Sequence, residues 1–350
     1  MKKYKKIKNK DKKDLIDNIK NRPFKKIRNE NYIRNDIKKF KNIFNHKNKQ
    51  IIFFIIIIQL ITNIYLFIKQ RKYQTNNFNI EINNDEENIE NIDNNILSPI
   101  QDKLKAYIEI NLDEQKFLNG IVRKYKPKKI VEIGVSQGGT AVLMLNAIKD
   151  LKHSKLFSID RNEKNYRHPE RKTGWIVKEK FPYLSDKWKL YIGNTAEHIE
   201  SIGNNIDFVY IDTVHTTPGE MLNWLEVLPF LKEEAIVVIH DTFFMFTEYI
   251  NPRSKANFSN NQLLCYIRGN LILPKYGGNK IFSRNIGAVK LSKNQKNYYK
   301  QYFLALGNFW EYFPKENDIT ILRNFYKKYY GEKLVEIFDD AVEKNRRRFK

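Results

Sequence analysis

The sequence predicts an α/β protein built on a doubly wound, mostly parallel sheet, with an N-terminal transmembrane segment and a helical C-terminal extension. Three observations lead there. Between Ile130 and Asp241 short apolar runs of strand length alternate with helical patterns, which implies βαβ units and a sheet covered on both faces. The first run, Ile130–Val131–Glu132–Ile133, passes into a glycine-rich turn at Gly134–Gly139 and an apolar helix opening at Thr140. Three of the runs end on an acid, Asp160, Asp212 and Asp241, at the carboxyl ends of strands where open α/β sheets bind ligands.

The chain has 350 residues and a formal net charge of +23, room for one sizeable α/β domain plus extensions. Lys, Asn and Ile are heavily used throughout, so the charge reflects general composition as much as a polyanionic partner. Cys265 is the single cysteine, which excludes an intramolecular disulfide and any multi-cysteine metal site.

Residues 1–50 form a basic tail in which Ile33, Ile37, Phe40 and Phe44 share one face of an expected amphipathic helix. Such a helix can lie on an anionic membrane or cover nucleic acid, and a solvated tail is the alternative. Residues 51–68 follow as an uncharged run flanked by lysines and arginines; roughly 18 helical residues cover about 27 Å, enough for the hydrocarbon core. They are read as a membrane anchor, single-pass or monotopic, with a buried core helix as the competing reading. Residues 69–96 are Asn-rich and acidic, with a linker composition.

The folded domain is expected over residues 97–292. A helix around Leu112–Tyr125 leads into the strand Ile130–Ile133 and the helix from Thr140. Strands follow at Lys155–Ile159, Lys189–Ile192, Ile206–Ile211 and Ala235–Ile239, with a polar insertion at 161–187 and helices near Ala196–Ile202 and Pro218–Phe230. The stretch from Phe243 to Gly278 reads as irregular and aromatic, a substrate-facing segment. Asn285–Ser292 reads as a last antiparallel strand. Residues 293–350 read as an aromatic helical extension that wraps the domain, forms a homodimer contact or borders an acceptor site.

Each strand end offers chemistry. The glycine loop, with Gly134 and Gly138, lets a ligand approach the backbone and brings it to a helix N-terminus. It lacks the spacing of a dinucleotide fingerprint and the Gly-Lys-Ser/Thr of a P-loop. Asp160 can accept hydrogen bonds from ribose hydroxyls or cap a turn. Asn194 and Thr195 can meet an adenine edge. Asp212 and Asp241 end adjacent strands, where two carboxylates repel unless protons or a cation such as Mg²⁺ neutralise them; capping of the next segment by Asp241 is the alternative. An imidazole titrates near neutrality, which suits His215 to take a proton from a hydroxyl. His240 reads equally as structural.

Together E-I-G-V-S-Q-G-G-T, the strand-end Asp160, I-D-T-V-H and V-I-H-D resemble the class I S-adenosylmethionine (SAM) dependent methyltransferases with their Rossmann-like fold. The likeness is to the small-molecule and sugar O-methyltransferase branch, which includes catechol O-methyltransferase-like and cephalosporin-hydroxylase-like enzymes. It implies that Glu132, Gly134 and Thr140 contact the methionine part of SAM, that Asp160 binds its ribose, and that Asp212 and Asp241 hold a divalent metal. The chain departs from the catechol type at His215, where that type has lysine, and at Thr242, where it has asparagine. The expected activity is methyl transfer to a hydroxyl of a glycan or other small hydroxylated acceptor, with Asp212 and His215 catalytic. A nucleic-acid methyltransferase is disfavoured because Asp212–Thr213–Val214–His215 replaces the Asn/Asp-Pro-Pro-aromatic tetrad. A membrane-tethered binding module without activity is the non-enzymatic competitor. The cationic tail favours a cytoplasmic N-terminus and a translocated C-terminal bulk, whereas SAM is made in the cytosol; a SAM-supplied compartment or a monotopic anchor reconciles the two.

Overall fold

A computed structural model describes residues 89–242, 263–264, 266–274 and 285–349. The expected amphipathic helix, the anchor at 51–68 and most of the segment from Phe243 to Gly278 lie outside them. No helix among the described residues is long and apolar enough to cross a membrane.

Seven strands form one sheet: β1 (Lys129–Ile133), β2 (Lys155–Asp160), β3 (Trp188–Ile192), β4 (Ile206–Ile211), β5 (Leu231–His240), β6 (Gly269–Ile272) and β7 (Ile286–Leu291). Their order is β3-β2-β1-β4-β5-β7-β6. β1 to β5 are mutually parallel, and β7 runs antiparallel to both β5 and β6. The strand order reverses between β1 and β4, the switch point where a crevice opens beyond the strand ends. The helices are α1 (Asn94–Leu104), α2 (Leu112–Tyr125), α3 (Gly139–Ala147), α4 (Trp175–Lys180), α5 (Thr195–Ile202), α6 (Gly219–Val227), α7 (Tyr299–Ala305), α8 (Glu316–Tyr330) and α9 (Glu332–Phe349).

Strand periodicity explains the two-sided core. Side chains alternate between the faces, so Val131, Ile133, Val209 and Ile211 enter one cluster, while Ile130, Phe208 and Tyr210 enter the other. The second face is covered by α1, α2 and α3. α2 begins at a capping box, in which the Asn111 side chain accepts from Asp113 and Glu114 N–H groups and Glu114 accepts from Asn111 N–H.

Two described elements reach into the stretch read as linker. A 3-10 turn at Ile89–Asn91 precedes α1, and Ile89, Leu97, Ile100 and Leu104 are buried against α2 and α3. Gly120 makes room for that turn: a Cβ there would meet the Ile89 carbonyl oxygen at 1.8 Å. The linker composition therefore conceals one apolar anchor, Ile89, while Leu97, Ile100 and Leu104 fall within the expected domain.

The C-terminal segment wraps the domain. Tyr302, Phe303, Trp310, Phe325, Tyr326 and Phe338 join the same cluster as the β1 and β4 side chains. Their rings meet edge to face, as in Phe303–Tyr326 at 5.2 Å and Tyr326–Phe338 at 5.1 Å between centroids, a geometry favoured by the ring quadrupoles. These aromatics are packing rather than stacking platforms. Phe338 is fully buried, so Phe338→Ala should cost about 3–5 kcal/mol of stability, read as a lowered urea midpoint at unchanged slope.

Two differences from expectation remain. The polar insertion at 161–187 contains α4 and a 3-10 helix at Pro182–Lys187. The stretch read as irregular up to Gly278 contains β6, an edge strand on which Gly269, Asn270 and Leu271 are exposed.

Candidate active site

A cleft of about 490 Å³ lies beyond the carboxyl ends of β1 to β4, within the usual size for a small-molecule site. Gly134, Thr140, Asp160, Asn194, Thr195, Asp212 and His215 all line it. The alternating pattern thus brings together seven of the residues expected to act there.

Gly134 sits where loop and strand tips meet. Its φ is +88°, and a Cβ would fall 1.8 Å from the Asp212 carbonyl oxygen, so only glycine fits. Asp160 holds the loop that follows: one carboxylate oxygen accepts from Val135 N–H at 2.9 Å and Ser136 N–H at 3.2 Å, the other from Asn162 N–H at 2.8 Å. It both shapes the loop and faces the cleft.

Glu132 and Gly138, also expected at the ligand, do not line the cleft. Gly138 precedes α3 and packs against Gly174 and Val177. Glu132 points into the buried face of β1 and is fully enclosed. Its two oxygens accept from Thr140 Oγ1 at 2.6 Å and Ser158 Oγ at 2.5 Å. Burial pushes this carboxyl up, and the two hydroxyl hydrogen bonds pull it back only in part, leaving it at about 8. The folded protein therefore holds this proton through a range where the unfolded chain has released it. Stability contributed by the neutral carboxyl is complete below the unfolded value of 4.5 and is lost as pH rises to about 8. Glu132→Gln should flatten the fall in urea midpoint between pH 5 and 8; the flattening is partial, because Glu226 is likewise raised, to about 7.

At the β4 and β5 tips the charges interlock. Tyr210 donates its hydroxyl to Asp212 at 3.0 Å. His240 Nδ1 lies 3.3 Å from Asp212 and 3.4 Å from Asp241, and its Nε2 lies 3.5 Å from Glu114. Burial opposes a charge on His240, but the surrounding carboxylates override it and hold its pKa well above the ordinary imidazole value. Burial likewise pushes Asp212 up, and the His240 and His215 imidazoles reverse this, holding it at about 2. His215 Nδ1 is 3.0 Å from Asp241 Oδ2, and its Nε2 is 3.8 Å from Asp212 Oδ1. Its backbone N–H donates to Glu220 at 2.7 Å. Both His215 and Asp241 have φ of +55°, a left-handed conformation uncommon for side-chain-bearing residues and concentrated at functional sites.

Residues 131–242 match the family model described as a methyltransferase domain. Solved structures similar to the chain include the O-methyltransferase TomG from Streptomyces achromogenes, involved in tomaymycin synthesis and in complex with SAM, at 13% identity and TM-score 0.40 over 56% of this chain and 89% of that one. The O-methyltransferase from Bacillus cereus in complex with S-adenosylhomocysteine (SAH) aligns at 15% identity and TM-score 0.41 over 56% and 90%. The SAH-bound Podospora anserina methyltransferase PaMTH1 aligns at 15% and 0.39 over 57% and 88%. No curated protein matches the chain.

The cleft has room for a nucleotide-sized ligand, with a small backbone loop at Gly134–Gly139, a carboxylate at the β2 tip and a volume of about 490 Å³. A metal finds a donor set in Asp212, His240 and Asp241, whose ligand atoms lie within 4.8 Å of one another. Two carboxylates and an imidazole fit a divalent ion. A protonated His240 and a divalent cation are alternative ways of neutralising the same carboxylates. His240, left open between two roles by the sequence, is thus part of the charged cluster. Sequence reading missed Glu114 and Asp318 at the site; Glu114 belongs to the capping box of α2, a legible motif, while Asp318 arrives through the fold of the C-terminal segment and carries no local signal.

Proposed function

We propose that the protein is an O-methyltransferase, moving the methyl group of SAM to a hydroxyl of a glycan or other small hydroxylated acceptor. The observation that carries this reading is the imidazole of His215 in the methyltransferase cleft, with Asp241 3.0 Å behind its Nδ1. Bound against the glycine loop, SAM would supply a sulfonium methyl group that an acceptor oxygen attacks in line as the carbon–sulfur bond breaks and its electron pair stays on sulfur. Asp241 accepts Nδ1–H of His215, which leaves Nε2 as the basic nitrogen facing the cleft. Nε2 takes the acceptor's proton as the new carbon–oxygen bond forms. Asp160 and Gly134 keep the loop in the shape that aligns the two reactants, a condition for rapid displacement. Asp212, His240 and Asp241 would hold a divalent cation, Mg²⁺ or a first-row metal, which acts as a Lewis acid toward the acceptor hydroxyl.

The test is incubation of the full-length chain with methyl-labelled SAM and a panel of diols, catechols and sugars. The reading expects label in an ether product that resists mild base. Label found only in amines would contradict it.

The anchoring at residues 51–68 belongs to the same proposal, supported by their uncharged run between basic flanks. The full chain should float with anionic liposomes, and a variant lacking 51–68 should lose most of that binding; equal flotation of the two would contradict the anchor.

A further inference from the structure

Beyond Asp160 the cleft ends on a wall that the strand tips do not supply. Helix α8 opens there, and Asp318, Ile321 and Leu322 line the cleft beside Asn194 and Thr195. Asp318 is only 8% exposed. One of its carboxylate oxygens accepts from the Arg161 guanidinium, and the other is reached by the Asn194 amide at 3.4 Å, at the long limit of a hydrogen bond. Each carboxylate oxygen can accept twice, so this second oxygen retains capacity for a donor inside the cleft. The other acid on the wall, Glu226, is already engaged by Ala196 N–H at 3.0 Å and the Asn223 amide at 2.9 Å.

The direction of the cofactor follows from the strand order. His215 and Asp212 mark the reacting end at β4, the glycine loop lies at β1, and Asp160 stands at β2. A molecule laid along β4-β1-β2-β3 brings its far end to Asn194 and α8. We infer that Asp318 reads the nucleobase of SAM, accepting a hydrogen bond from the exocyclic amino group of adenine, with Leu222, Ile321 and Leu322 against the ring. This rests on the SAM reading above and deepens it: the C-terminal segment completes the cofactor site as well as the core. Arg161 is the positioning residue that holds the Asp318 carboxylate in place.

The chemistry gives a discriminating probe. In S-inosylhomocysteine the amino group of SAH is replaced by a carbonyl oxygen, which turns an acceptor toward the carboxylate. A site built around a donor rejects such an analogue. Calorimetric titration of the full-length chain should show SAH binding roughly tenfold or more tighter than S-inosylhomocysteine, the size of one charge-assisted hydrogen bond. Asp318→Asn should bring the ratio close to one. Arg161→Gln breaks the same ion pair but keeps the carboxylate, and should retain most of the discrimination. A native ratio near one, or equal loss of discrimination in Arg161→Gln and Asp318→Asn, would overturn the assignment while leaving SAM binding in place. Failure of the native protein to bind SAH at all would overturn the SAM reading and this assignment with it.

Discussion

His215→Ala should lower kcat by about 10²–10⁴-fold while leaving the affinity for SAM within a fewfold of native. The range is the usual contribution of a positioned general base. The side chain lies at the acceptor end of the cleft, and its partner is Asp241, with Nδ1 and Oδ2 3.0 Å apart. Asp241→Ala removes the group that fixes the imidazole tautomer and one carboxylate of the charged cluster at once, and should also abolish transfer with SAM affinity nearly intact. Methyl transfer by single turnover, with SAM affinity measured in parallel, separates the two readouts. Equal loss of transfer and cofactor affinity in Asp241→Ala would place that residue in the cofactor site. Survival of near-native kcat in His215→Ala would remove the base from the scheme.

Gly134→Ala should abolish cofactor binding. The φ of +88° is strained for any side chain, and the new Cβ would overlap the Asp212 carbonyl oxygen at 1.8 Å, where neither strand tip can retreat without disturbing the sheet. The same substitution threatens folding, so Asp160→Ala provides the companion test. It removes two hydrogen bonds that hold the loop, from Val135 and Ser136 N–H, and whatever the carboxylate gives the ribose. Two or three charge-assisted bonds correspond to a loss of about 100-fold or more in SAM affinity. A circular-dichroism melt near the native one would show that the loss is local.

Much of the frame was legible because it follows from local rules. α2 spans Leu112–Tyr125 and β4 spans Ile206–Ile211, the bounds expected from periodicity and flanking residues. Of the strand-end acids, Asp160 and Asp212 meet in one cleft because parallel strands place their carboxyl ends on one edge, with Asp241 buried beside them. Other features depend on partners far along the chain. β6 is short and mostly exposed, and its strand pairing comes from β7, far along the chain. Glu132 reads as a ligand contact by its place in the motif, yet strand alternation turns it into the core, toward Thr140 and Ser158. His240 is held above the ordinary imidazole value by Asp212, Asp241 and Glu114, of which Asp212 and Glu114 come from distant parts of the chain. Asp318 reaches the cleft only after α7, α8 and α9 fold back over the sheet.

The most direct measurement is calorimetric titration of SAM into the full-length native chain, beside Asp160→Ala under the same conditions. The account predicts saturable one-to-one binding by the native protein and a loss of about 100-fold or more in the variant. Absence of heat with the native protein, or equal affinity in the two, would contradict the assignment of the Gly134–Asp160 cleft as the SAM site.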